Sequence, residues 1–211
     1  MEDVKRTARR TTAEHIIKKL AIRNMTGHYR HTAAEAVELA RDLVEPGQSV
    51  TWGGSVSFSE SGIKAALEAD GHRMIDRSQA TTPEEQDAMW REQVGADWFF
   101  MGTNAITLDG ELVNIDGNAN RLALLLHGPK HVCVIAGMNK VVADVESGLK
   151  RIRTVTPAQR RAPTHRHPGE LAGVCSNCHA EKCMCCQEVI TRHSRHDGRI
   201  HVILVGEDLG F

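Results

Sequence analysis

The sequence predicts an α/β fold: a mainly parallel, Rossmann-like sheet flanked by helices. Three observations carry this expectation. Short apolar runs of strand length recur between segments with helical periodicity. Several of those segments open on the S/T-x-x-E pattern of a helix start. The 211 residues suffice for one α/β domain with a substantial core but fall short of two full domains. Strand and helix in alternation bury both faces of a parallel sheet, and the crossovers need the intervening helices.

Four S/T-x-x-E pairs stand in order: Thr11 with Glu14, Thr32 with Glu35, Ser57 with Glu60, and Thr82 with Glu85. In each, the hydroxyl and the carboxylate satisfy backbone N–H groups that the first helical turn leaves unpaired. After Thr11 come Ile16, Ile17, Leu20 and Ala21. After Thr32 come Ala36, Val37, Leu39, Ala40, Leu43 and Val44, stopped by Pro46-Gly47. These two segments read as an N-terminal helical pair with Tyr29 in the turn between them. Pro83 occupies a first helical position, where its missing N–H costs nothing.

Strands are expected at Ser49–Trp52, His72–Ile75, Asp97–Met101, His131–Ala136 and Ile200–Val205. Ala105–Thr107 and Glu111–Asn114 flank Leu108-Asp109-Gly110, a hairpin signal where a crossover helix would otherwise begin. From Thr154 to His167 the pattern fades into Pro, Arg, Gln and His, a linker into a cysteine-rich segment. Packing resumes at Gln187–Thr191. The resulting division is N-terminal helices over 1–45, an α/β core over 46–153, a linker and cysteine-rich insertion over 154–193, and a closing core strand within 194–211.

Twenty-six basic residues against 27 acidic ones leave no global field for nucleic acid or an anionic membrane, so the expected partner is a small anionic molecule. The basic stretch Lys5–Arg10 reads as a solvated helix face. Apolar runs such as Leu122–Leu126 and Val132–Ala136 are too short to span a bilayer, and charge rather than an apolar signal core follows Met1. A cytoplasmic location is the expectation. There, five cysteines between Cys175 and Cys186 argue for metal or redox chemistry, while Cys133 sits in an apolar strand as core.

Two stretches concentrate candidate ligand-binding residues. Gly53-Gly54-Ser55 follows the first core strand and leads through Ser57 and Glu60 into a helix. In open α/β sheets ligands bind beyond the carboxyl ends of strands, and glycines let backbone amides approach an anion there. A tight strand-to-helix turn with a serine cap explains the same residues. Glu60 either completes that cap or acts as a general acid or base. The loop matches neither the dinucleotide fingerprint nor a P-loop.

The second stretch, Gly102–Arg121, gathers Asn104, Asn114, Asp116, Asn118, Asn120 and Arg121 in a region that otherwise reads as core. Polar side chains beside a sheet are costly unless paired or turned to a ligand. Asn114, Asp116 and Asn118 alternate along extended chain and share a side. Asn118 is also a candidate cap for a helix over Ala119–Leu126. Arg121 offers a fork for a carboxylate or phosphate, and Asp116 is a candidate proton carrier. Lys140, after His131–Ala136, stands at another strand end facing the same cleft.

Cys175 and Cys178 form a C-x-x-C knuckle, followed by Cys183, Cys185 and Cys186. A tight turn lets two thiolates meet one metal, and a further pair completes a tetrahedral site. Four thiolates suit structural zinc, and three with one open iron suit a [4Fe–4S] cluster. His167, His179 and His193 are alternative ligands, and free thiols or a redox disulfide are the remaining readings.

WGGSVSFSESG, GTNAITLDGELVNIDGNANR, LHGPKHVCVIAGMNKVV and the ending VILVGEDLGF together resemble the lactate-utilisation (LUD) domain family, over most of the chain. The resemblance implies the NagB/RpiA/CoA-transferase-like superfamily fold, shared by sugar-phosphate isomerases, CoA transferases and initiation-factor regulatory subunits. Superfamily members carry stretches similar to Gly102–Gly117 after a strand near the substrate pocket. Related isomerases place a proton-transferring aspartate where this chain has Asn104, and an amide is no base, so the isomerase mechanism is not carried over. Against the related cysteine segment the best matches are Cys175, Cys178 and Cys185, with Cys183 or Cys186 as substitute for an upstream cysteine absent here. The family name implies organic-acid or lactate metabolism beside iron–sulfur partner proteins. Three functions follow as expectations: an enzyme or enzyme component acting on a small anionic metabolite, an accessory protein with structural zinc, and an acyl-CoA transferase using Glu60.

Overall fold

The structure, a computed structural model, describes residues 2–155, 175, 177 and 183–211. Its main sheet has six parallel strands: β1 (Thr26–Arg30), β2 (Ser49–Trp52), β3 (Arg73–Ile75), β4 (Trp98–Gly102), β7 (His131–Gly137) and β10 (Ile200–Val205). They lie in the order β1-β10-β7-β4-β2-β3. A smaller sheet in the order β8-β5-β6-β9 joins β5 (Ala105–Thr107), β6 (Leu112–Asp116), β8 (Val141–Val142) and β9 (Gln187–Thr191). The expected hairpin is the antiparallel pair β5 and β6, and it seeds this second sheet rather than extending the first.

Helices cover both faces. On one side α1 (Glu2–Ile22) and α6 (Asn120–Leu126) bury Ile16, Leu20, Leu122 and Leu125 against Phe99, Met101, Val132, Val134, Val202 and Leu204. On the other, α2 (Ala33–Leu43), α3 (Val56–Glu60) and α4 (Ile63–Ala69) pack Leu39, Phe58, Ile63 and Leu67 on Val50, Phe100, Cys133, Ile135 and Ile203. Consecutive residues of a strand point to opposite faces, so central strands covered twice must be apolar throughout. β4, WFFMG, and β7, HVCVIAG, obey this rule. Remaining helices are α5 (Pro83–Val94) and α7 (Val145–Thr154), and α7 caps the small sheet through Ile152 on Ala105, Val113 and Ile115.

Two expected helix starts hold. The Thr82 hydroxyl accepts from Glu85 N while the Glu85 carboxylate accepts from Thr82 N, with Pro83 opening α5. The Thr32 hydroxyl caps α2 by accepting from Glu35 N, while the Glu35 carboxylate accepts from His31 N one residue earlier. Two others differ. Thr11 lies inside α1, donating to Thr7 O, because no Gly or Pro interrupts the chain before it and the helix begins at Glu2. Ser55, not Ser57, caps α3, and Ser57 is buried.

The segment expected as a turn around Tyr29 is strand β1. Asn24, at φ 55°, ends α1 and reverses the chain, and Thr26–Arg30 then pairs with β10 in parallel register. An edge strand paired on one side needs no apolar run, which is why TGHYR carried no strand signal. Gly27 lets α1 close on it, since a Cβ there would stand 2.9 Å from Ile17 and Leu20 side-chain carbons. Ala119, at φ 60°, precedes α6 without a side-chain cap, so Asn118 does not cap that helix as expected; it is exposed.

Candidate functional site

The chain leaves β2 outward to β3 and returns through α5 to β4 on the other side of β2, so β2 and β4 flank a topological switch point. At such a point the two loops diverge and open a crevice beyond the carboxyl ends of the strands. Gly53 to Glu60 leaves β2 there, Gly102 and Thr103 leave β4, and the turn Met138–Lys140 leaves β7. The tail after β10, Gly206 to Phe211, crosses the same end.

One network centres on Arg121 at the start of α6. Its five N–H groups are all engaged: Nε on Asp116 Oδ2 at 3.1 Å, Nη1 on Gly102 O and Asn114 Oδ1, and Nη2 on Asn104 Oδ1 and Ile115 O. Burial lowers the Arg121 pKa, and Asp116 opposes that shift. Gly53 is glycine because a Cβ would lie 3.1 Å from the Arg121 Cγ. Asn104 also accepts from Ile115 N at 3.0 Å, so its amide ties β5 to β6. Asn114 is fully buried; Oδ1 accepts from Arg121 and from Asn104 N, whereas Nδ2 has no acceptor among the described residues. Buried amide donors are nearly always paired, so an orphan at a strand end is a pointer toward a ligand or bound water.

The second network centres on Lys140, only 5% exposed. Nζ donates to Ser57 Oγ at 2.7 Å and to Thr103 O at 3.1 Å. No carboxylate lies within ion-pair distance of it among the described residues. Burial, reinforced by Arg151 and Arg121 and opposed by Glu60, pushes its pKa down to about 8. Ser57 Oγ in turn donates to Leu209 O. Glu60 reaches the tail, accepting from Gly210 N at 2.7 Å. Gly102 separates the two networks: a Cβ there would fall 2.6 Å from Ser55 Oγ and 3.5 Å from Ser57 Oγ.

The structure therefore brings together Gly53, Asn104, Asn114, Asp116 and Arg121 in one network and Ser57, Glu60 and Lys140 in its neighbour, with Ser55 between them. Gly54 is exposed at the mouth, and Asn118 and Asn120 stand outside both networks. Sequence reasoning missed Arg151, whose Nε donates to Asn139 O and Nη1 to Asn104 O and Phe211 O. Its signal was positional: it lies three residues after Gly148 and one before Ile152, both buried on α7. Arg77, exposed at the mouth, was missed as well; its Nη2 would stand 3.5 Å from a Cβ on Gly54.

The cysteine segment abuts this site through β9, which pairs with β6. Cys186 N donates to Asp116 O, and a Cβ on Gly117 would meet Met184 Cα at 3.3 Å. Cys175 Sγ and Cys185 Sγ are 3.9 Å apart. Burial and the thiols of Cys183 and Cys175 raise the Cys185 pKa. Two thiolates bound at 2.3 Å to one tetrahedral metal would stand about 3.8 Å apart, so this pair fits a shared ion. No group of three or more His, Cys, Asp or Glu among the described residues has metal-holding geometry. Cys178, His167 and His179 lie outside the described residues. No described helix is long and apolar enough to cross a membrane.

A family model described as the LUD domain matches residues 13–205. Among solved structures, a DUF162 family protein from Deinococcus radiodurans is similar over 93% of this chain and 98% of its own, at 13% identity and a TM-score of 0.55. Lower likeness is found to ribose 5-phosphate isomerase A from Neisseria gonorrhoeae, at 16% identity over 54% of each chain and a TM-score of 0.35. The eIF2B delta subunit from Chaetomium thermophilum has 17% identity over 52% of this chain and 48% of its own, with a TM-score of 0.36. No curated protein matches.

Proposed function

With residues 13–205 matched, the chain belongs to the LUD-domain family, and from that premise we propose that it binds a small anionic metabolite, an organic acid or phosphorylated compound, where β2, β4 and β7 end. The observation that carries this reading is the Lys140 ammonium, buried at a switch point with no carboxylate partner among the described residues. Burying a charge costs several kcal/mol when no counter-ion compensates it. Arg121 is balanced by Asp116 and Arg151 donates to the main-chain oxygens of Asn139, Asn104 and the last residue, Phe211, leaving Lys140 as the cation an anion would satisfy. The Asn114 Nδ2 donor supports the same reading.

In this reading the protein is an enzyme or enzyme component. Lys140 and Ser57 hold the anion, Asn114 orients it, and Arg121 sets the positions of Asn104, Asn114 and Asp116 rather than meeting the ligand first. Glu60, beside the tail, is the candidate proton carrier. Cys175, Cys183 and Cys185, with Cys178, supply a zinc ion or an iron–sulfur cluster beside the Asp116–Gly117 turn. The family name supports an organic acid of lactate metabolism and iron–sulfur proteins as partners. Structural zinc in a non-catalytic accessory protein is the second reading, favoured by the thiol pair spaced for one ion.

The test is a titration of isotope-labelled protein with inorganic phosphate and with succinate, followed by amide NMR shifts. Shifts gathered at Gly53–Glu60, Gly102–Thr103 and Asn139–Lys140, absent in Lys140→Met, are expected. Shifts confined to distant surfaces, or unchanged in the variant, would overturn the site. Anaerobic purification with metal analysis separates the cofactor readings: a broad band near about 400 nm marks a cluster, and colourless protein with stoichiometric zinc marks a structural ion.

A further inference from the structure

Lys140 has a chemical capacity that the anion-binding reading leaves unused. A guanidinium and a hydroxyl hold an oxyanion as well as an ammonium does, but a primary amine also adds to a carbonyl carbon. Lysines that do so are desolvated and set beside other cations, because both conditions favour the neutral amine that carries the nucleophilic lone pair. Lys140 meets both: it is 5% exposed, and Arg121 and Arg151 are the cations acting on it.

The surroundings agree with that chemistry. The nitrogen donates to the Ser57 hydroxyl at 2.7 Å, and among the described residues no carboxylate is close enough to lock it as an ion pair. On the tail side only glycine fits against the amine: a Cβ on Gly210 would sit 3.4 Å from Nζ and 2.5 Å from Ser57 Oγ, so the bare Gly210 backbone covers Lys140 and a carbonyl compound reaches it by displacing that turn. Gly210 N is held by the Glu60 carboxylate, which sets an acid–base group on the same turn of the tail that packs against Lys140. Asn114 Nδ2 has no acceptor among the described residues and Arg151 donates to Asn104 O, so both offer donors to a carboxylate attached to the carbonyl compound.

We propose that Lys140 forms a Schiff base with a small carbonyl acid, an aldehyde or oxo acid carrying one carboxylate; this rests on the anion-binding reading and adds a covalent step to it. The Lys140 nitrogen bonds to the carbonyl carbon and one of its protons passes to the carbonyl oxygen, giving a carbinolamine. The carbon–oxygen bond then breaks and the oxygen departs as water. Starting from the ammonium, the products are one protonated imine and one water, with charge conserved and no oxidant or reductant consumed. Ser57 relays the proton, and Glu60 serves as its reservoir.

The whole chain is incubated with pyruvate, 2-oxobutyrate or glyoxylate and sodium cyanoborohydride, then weighed intact and mapped by peptide mass spectrometry. One reduced adduct per chain, on the peptide containing Lys140 and lost in Lys140→Arg, is expected. Peptide mapping of the unaltered chain decides the matter even where that variant does not fold. No adduct with all three acids, or adducts spread over surface lysines such as Lys5, Lys18 and Lys150, would overturn the inference. Succinate, which has no reactive carbonyl, runs in parallel by NMR. Shifts at Lys140 without an adduct overturn only the covalent step; no shifts and no adduct overturn the anion site as well.

Discussion

Replacing Arg121 with methionine tests the division between a structural arginine and a ligand-binding lysine. The substitution keeps an unbranched apolar stem and removes a guanidinium whose five N–H groups all meet acceptors. Left behind are the Asp116 carboxylate, whose side chain is 13% exposed, and oxygens of Asn104, Asn114, Gly102 and Ile115. Breaking a buried ion pair from one side costs about 3–5 kcal/mol, because the remaining charge is stranded. Against a domain stability of about 5–15 kcal/mol this is a large share. With a urea slope of about 2 kcal/mol/M, the unfolding midpoint should fall by about 2 M. Adding Asp116→Asn removes the stranded charge, so the double variant should lose less than the sum of the single losses. A loss under about 1 kcal/mol for Arg121→Met, with additive behaviour of the pair, would show that this network does not hold the site together.

Two pH responses follow. His131 Nδ1 and His201 Nε2 both face Gly198 O, which leaves His201 Nδ1 bare to accept from His28 Nε2, a bond that protonation of His201 would break. Burial, then His201 and Arg30, lowers the His28 pKa from 6.5 to about 4, so its contribution is present above 6.5 and lost as pH falls toward 4. That drop sets a ceiling of about 3 kcal/mol, and screening at this half-buried ring reduces it to about 1–2 kcal/mol. Urea unfolding at pH 7 and 4.5 should show the loss, and His28→Gln should flatten it; an equal slope in both proteins would refute the assignment. Lys140 behaves with the same sign at higher pH: its folded pKa, about 8, lies below the ordinary 10.5, so stability should rise as pH climbs between these values. Thermal unfolding at pH 7.5 and 10 should show this rise in the unaltered chain relative to Lys140→Met, and identical differences would remove Lys140 as its source.

Much of the fold was legible locally. The β2, β3, β4, β7 and β10 runs, the β5–β6 hairpin and the starts of α2 and α5 are written in patterns that act over a few residues: apolar runs, a Gly-containing turn and capping boxes. β1 escaped because an edge strand carries no apolar run, and Thr11 misled because a capping pattern inside a favourable helix is only a pair of surface residues. The site was legible as composition but not as roles. Asn104, Asn114, Asp116 and Arg121 were visible as polar residues out of place and Gly53 as a loop glycine, yet their pairing depends on how β5, β6 and α6 fold back on one another.

What the sequence alone determined, then, is the layered α/β architecture and the segments from which a site could be made, since burial pattern and turn chemistry are local and repeat along the chain. Tertiary structure decided which charge is spent and which is available. Arg121 lost its freedom to Asp116 and four other oxygens, while Lys140 was carried 83 positions from Ser57 in sequence to 2.7 Å in space. Electrostatic role depends on desolvation and on partners, and both are set by long-range crossovers that no local pattern encodes.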